Sequence, residues 1–79
     1  MVVLFEDYRS KRECLRLTLQ TYRGVARIDL RLWYLASDGA YKPGRHGFTV
    51  PRHAVTALTD ALGKAADLAE TDIEPAPLT

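Results

Sequence analysis

From Leu15 onward the chain alternates. In "LRLTLQTY" the leucines Leu15, Leu17 and Leu19 fall on one side and Arg16, Thr18, Gln20 and Tyr22 on the other, a period of two that predicts a strand with one apolar face. Arg23 and Gly24 supply a tight turn, with Gly24 free to take positive φ. A second strand then runs from Val25 to about Leu35 with Ala26, Ile28, Leu30 and Leu32 inward. The two predict a hairpin. "SDG" at 37–39 predicts the next turn, 40–42 a short strand, "PGRHG" at 43–47 a loop and 48–50 another short strand. Pro51 sits where a helix can begin, because its fixed φ suits the first turn and its missing N–H is not needed there. Beyond it the period becomes helical. Val55, Leu58, Leu62, Ala65, Ala66 and Ala69 recur opposite Thr56, Thr59, Asp60, Lys64, Asp67 and Glu70, which predicts one amphipathic helix over the inner face of the sheet. Residues 1–70 therefore read as one α+β domain, an antiparallel sheet followed by a C-terminal helix, and "TDIEPAPLT" at 71–79 as a flexible tail.

Size makes that domain marginal. A chain of 79 residues buries only about 60% of its unfolded surface, so a dimer is plausible before any motif is considered. The single cysteine, Cys14, has no partner for an internal disulfide, and with only His46 and His53 beside it no zinc cluster is expected. No cofactor is expected either. No apolar run is long enough for a membrane span, and "MVVLFEDY" meets its acids too early for a signal peptide, so the reading is of a reduced, cytoplasmic protein.

Charge divides the chain. Residues 1–52 carry ten Lys/Arg against five Asp/Glu, and residues 53–79 one against five. Eight of the eleven cations are Arg, which pairs with phosphate through two parallel bonds and stacks on flat rings. An anionic partner fits the front of the chain. In "RIDLRLWY" the outward set Arg27, Asp29, Arg31 and Trp33 joins Arg16, Thr18, Gln20 and Tyr22 of the preceding strand, and the next segment adds Lys42, Arg45 and His46. Cations interleaved with rings are what a single-stranded nucleic-acid platform requires, since phosphates and unpaired bases are met by different groups on one surface. The plainer reading is a solvated sheet face of cross-strand pairs. Catalytic chemistry finds no support: Cys14 suits a small buried hydrophobe, and no nucleophile lies beside a base, so no enzyme is expected.

The pieces Tyr22-Arg23-Gly24, Ile28-Asp29-Leu30-Arg31, Trp33-Tyr34, Asp38-Gly39, Lys42-Pro43-Gly44-Arg45 and Gly47-Phe48 resemble, in order and nearly in spacing, the core of the transcriptional coactivator family of positive cofactor 4, in a compact bacterial or phage form. That resemblance implies a four-stranded curved antiparallel sheet followed by one helix. It also implies homodimerisation and sequence-independent binding of single-stranded or melted DNA, in transcription or in handling unpaired DNA close to the nucleoid. Carried over, Tyr22 and Tyr34 are expected as stacking rings, with Arg23, Arg31, Lys42 and Arg45 on phosphates or bases. Strict alternation puts Trp33 rather than Tyr34 beside Arg31, so a bulge near the strand end is expected to re-aim both, with Trp33 the second choice of ring. The chain departs from the family pattern at Val25, His46 and Val55, where the family carries a lysine, a second basic residue and a tryptophan. Arg16, Arg27 and "RSKR" at 9–12 are expected to compensate. Two other readings stay open. One is an interaction module that holds RNA polymerase or another protein through Asp60, Asp67, Glu70, Asp72 and Glu74. The other has RNA as the ligand, because stacking and phosphate contacts do not read the 2′-OH.

Overall fold

The computed structural model describes residues 1–70. The tail expected at 71–79 lies outside the described residues. Four strands, β1 (Val2–Tyr8), β2 (Glu13–Tyr22), β3 (Val25–Leu35) and β4 (Tyr41–Val50), form one antiparallel sheet in the order β1-β2-β3-β4. A single 3-10 turn (Arg52–Ala54) leads into α1 (Val55–Glu70). Pro51, extended at φ −62°, caps that turn, so the helix proper begins four residues after the proline.

Each hairpin closes by its own chemistry. Between β1 and β2, Ser10 Oγ accepts the amides of Arg12 and Glu13, both at 3.1 Å, and so replaces the missing strand partners. Between β2 and β3, Tyr22 pairs with Val25 across a two-residue turn in which Arg23 (φ 51°) and Gly24 (φ 77°) are both left-handed. That geometry is the type I′ turn, whose twist matches the flanking strands, and Arg23 bears the steric cost that glycine avoids. Between β3 and β4, Gly39 at φ 85° and the Asp38 carboxylate, which accepts the Ala40 amide at 3.0 Å, shape the "SDG" turn.

Three expectations are corrected. First, the loop expected at 43–47 is the middle of a continuous β4. Gly47 lies against β3 so closely that a Cβ would sit 2.6 Å from Arg31 Cα, and at Gly44 it would sit 2.8 Å from the Leu32 carbonyl. The glycines are there for close approach rather than for a turn, and Pro43 is tolerated because β4 is an edge strand. Second, the bulge is in β4 and not in β3. While β3 advances from Arg31 to Trp33, β4 retreats from Gly47 to Pro43, whereas β3 stays in register with β2 throughout, so Trp33 and Tyr34 keep opposite faces. Third, α1 does not cover the sheet. Its main contact is the 3-10 turn before it, and none of its residues is buried.

Burial consequently inverts the expected faces. While the leucine face buries only Val50 among the described residues, the fully buried side chains Cys14 and Thr18, with Asp29 and Trp33 close behind, all lie on the polar face. With no layer above them, these side chains cover one another because the sheet curls, and theirs is the concave face. The leucine face is convex and open: Leu19, Phe5 and Phe48 are exposed there, as is Leu62 on the helix. A radius of gyration of 15.1 Å, against about 12 Å for a compact chain of this length, reflects an open arrangement that leaves apolar surface uncovered.

Candidate nucleic-acid interface

The concave face has three zones. At the end near the β1–β2 turn, the Arg16 guanidinium lies 4.8 Å from the centre of the Trp33 ring and 5.3 Å from that of Tyr41, and pairs with Glu6 at 3.6 Å. Tyr8 packs edge-on against Tyr41 and donates its hydroxyl to Glu6 at 2.6 Å, a bond that raises the Tyr8 pKa because ionisation would lose it. Trp33, only 7% exposed and lying against Arg16, is a wall of this cluster and offers no open ring to a base. Its Nε1, like Arg16 Nε, is buried without an acceptor among the described residues.

In the central zone, Arg31 donates to both oxygens of Asp29, at 3.0 and 3.1 Å, and to the Gly44 carbonyl at 3.1 Å. These bonds raise the Arg31 pKa further, chiefly through Asp29, and keep the charge locked. Arg31 therefore ties the β4 bulge to β3, and its charge is already paired. At the far end, by the β2–β3 turn, Arg27 lies 4.6 Å and Arg23 5.3 Å from the centre of the exposed Tyr22 ring. Neither arginine has an acidic partner among the described residues.

Tyr34 stands on the convex face, about half exposed, across the strand pair from Lys42. Lys42 forms an exposed pair with Asp38 at 3.3 Å. The Ala40 amide first, and Lys42 second, hold the Asp38 carboxyl below its usual range. Beside Tyr34 opens a cavity of about 210 Å³ bounded by Glu13, Leu32, Gly44, Arg45 and His46, with Trp33 contributing to its wall. Of the nine residues picked out from sequence, the cavity gathers Trp33, Tyr34, Arg45 and His46, and the β2–β3 end gathers Tyr22, Arg23 and Arg27. Lys42 stands beside Tyr34 at the cavity end, and Arg31 lies between the two groups. Glu13 escaped sequence reasoning, although its strand pairing with Tyr34 follows once the hairpin register is known, and Asp29, read only as one of the outward set, serves to hold Arg31. Among the described residues no group of His, Cys, Asp and Glu is placed to hold a metal, and no helix is long and apolar enough to cross a membrane.

An open, curled antiparallel sheet with cations and rings at both ends, followed by one unpartnered amphipathic helix, defines a class of small basic-faced sheet proteins. Within it the chain belongs to the Transcriptional Coactivator p15 (PC4) family, whose model matches residues 10–61. A PC4 homologue from Burkholderia pseudomallei has the same fold, with 23% identity and a TM-score of 0.73 over 82% of this chain and 88% of that one. The bacteriophage T5 homologue of PC4, implicated in recombination-dependent DNA replication, aligns at 24% identity with a TM-score of 0.59, covering 90% of this chain and 77% of its own. MoSub1, solved in complex with DNA, aligns at 19% identity with a TM-score of 0.56, covering 90% and 88%. No curated protein matches the chain.

Proposed function

We propose that this chain binds single-stranded or melted DNA without marked sequence dependence, as a homodimer and without enzymatic activity, and serves transcription or the handling of unpaired DNA at the bacterial nucleoid. The observation that carries this reading is the pairing of exposed rings with uncompensated cations: Tyr22 with Arg23 and Arg27 at one end, Tyr34 with Arg45 at the other. Phosphates release counterions to the arginines, and unpaired bases stack on tyrosines that duplex bases do not reach. Family membership and the DNA-bound state of MoSub1 support the same choice of ligand. The open part of the leucine face around Phe5, Leu19 and Phe48, further along the sheet from Tyr34, and the uncovered stripe of α1 support dimerisation, since a second copy would bury both and leave the cavity free.

Fluorescence anisotropy of a labelled single strand against its duplex, at low and physiological salt, tests the proposal. The best variants are Arg27→Ala, Arg45→Ala and Tyr34→Ala, because Arg31 is engaged in holding β4. The wild type should prefer the single strand, weaken with salt, and lose about tenfold on removal of the Tyr34 ring. Absence of binding at low salt would sink the proposal, and tighter binding of RNA of the same sequence would move it to RNA.

A further inference from the structure

The cavity beside Tyr34 is smaller than the roughly 300–1,000 Å³ of pockets that hold drug-sized ligands, which suits it to one planar ring. Leu32 and Tyr34 give it apolar walls. At Gly44 the absent Cβ, which would lie 3.7 Å from Tyr34 Cδ1, leaves the slot open. Arg45 and His46 supply donors. The residue that does not fit a purely electrostatic groove is Glu13. Its main chain is fixed by the β1–β2 turn, the amide donating to Ser10 Oγ at 3.1 Å and the carbonyl accepting from Arg9 at 3.0 Å. In the basic two-thirds of the chain Glu6, Asp29 and Asp38 each face a cation, whereas the carboxylates of Asp7 and Glu13 have no ion pair or hydrogen bond among the described residues, and of these two it is Glu13 that lines the cavity. At a phosphate-binding surface such a charge repels the backbone, so its place calls for a group that a carboxylate attracts.

A carboxylate only accepts, and it has two oxygens side by side. Among the four bases, guanine alone presents two adjacent donors on its Watson–Crick edge, N1–H and the N2 amino group, with the O6 acceptor next to them. Single-stranded bases are read on that edge, since it is free there. We infer that this cavity is a guanine subsite: Glu13 accepts from N1–H and N2–H, Arg45 or His46 donates to O6, and Tyr34 stacks on the ring. The inference rests on the single-strand reading above and adds to it a base preference at one position per protomer.

The test compares a labelled thymidine oligomer of about 20 nucleotides, longer than one binding site of ~4–16, with the same strand carrying one central guanine or one inosine, which lacks the N2 amino group. A single guanine avoids self-association of G-rich strands. The wild type should bind the guanine strand about tenfold tighter than the plain one, the inosine strand in between. In Glu13→Gln and Glu13→Ala the guanine preference should fall within about twofold, while affinity for plain thymidine stays the same or rises as a repelling charge is removed. Equal binding of guanine and thymidine strands by the wild type would overturn the subsite and leave the single-strand reading standing, as would a preference that persists in both variants. Failure to bind plain thymidine at all would instead overturn the single-strand reading, and with it this inference.

Discussion

Arg31 shows how a residue of the right type can be occupied with structure. Its guanidinium holds both oxygens of a buried carboxylate and a carbonyl of the neighbouring strand, so removing it leaves Asp29 without its partner and frees the β4 bulge. Arg31→Ala should therefore destabilise the fold by about 1–3 kcal/mol, the cost of leaving a desolvated polar group unsatisfied, as read from a shift in the urea midpoint. A variant as stable as the wild type would return Arg31 to the pool of free cations. Gly47 makes the complementary point without any charge. A methyl there would meet Arg31 Cα and the Leu30 carbonyl at 2.6 Å, and both are backbone, which cannot swing aside. Gly47→Ala should cost about 1–3 kcal/mol by overpacking and shift the amide resonances of β3 and β4 together. Unchanged spectra would mean that the two strands are less tightly apposed than this geometry requires.

Among the elements, β2 and β3 were legible from the sequence because their period of two is unbroken, and α1 because its stripe changes period cleanly at Val55. β4 was not, since Pro43, Gly44 and Gly47 carry the composition of a loop and only the proximity of β3 explains them. The faces misled for a related reason. Period two tells which residues share a side but not which way the sheet curls, and curvature here buries Thr18 and Trp33 while Leu15, Leu17, Leu30 and Leu32 stay half-buried and Leu19 exposed. Trp33 and Tyr34 illustrate the consequence for the site: adjacent in sequence, they belong to different faces, one a wall under Arg16 and the other a ring open to solvent. The helix carries the element-scale prediction. Its stripe has nothing to pack on within the protomer, so if a second copy covers it, the dimer should depend on it. Leu62→Glu places a charge at an exposed point of that stripe. It should leave a lone helix unharmed but shift the sedimentation profile from dimer towards monomer and lower thermal stability in a concentration-dependent way. A wild type that sediments as a monomer would exclude the homodimer.

At the scale of the whole molecule the separation of charge sets how binding should respond to salt. The near-neutral total hides a basic sheet and an acidic helix end, so the field that a nucleic acid meets depends on which side approaches. Pairing reduces the usable cations further: Arg16 and Arg31 face Glu6 and Asp29, which leaves at the two ring sites Arg23, Arg27 and Arg45, with Lys42 only loosely held by an exposed Asp38, while Arg9, Lys11, Arg12 and Arg52 lie outside those sites. Each neutralised phosphate on a single strand contributes about −0.7 to the slope of log affinity against log salt. Those four cations then imply a slope of about −3 per protomer, whereas all ten cations of the basic region would imply about −7. Arg27→Ala should flatten the slope by about 0.7, because Arg27 has no acid to release. Arg16→Ala should leave it unchanged, since Arg16 is spent on Glu6 and the aromatic cluster. A steeper wild-type slope would mean that further cations join, first Arg9, Lys11, Arg12 and Arg52, unpaired among the described residues, and only near about −7 that Arg16 and Arg31 also turn from Glu6 and Asp29 to the phosphates. Anisotropy titrations across a series of salt concentrations separate the two cases.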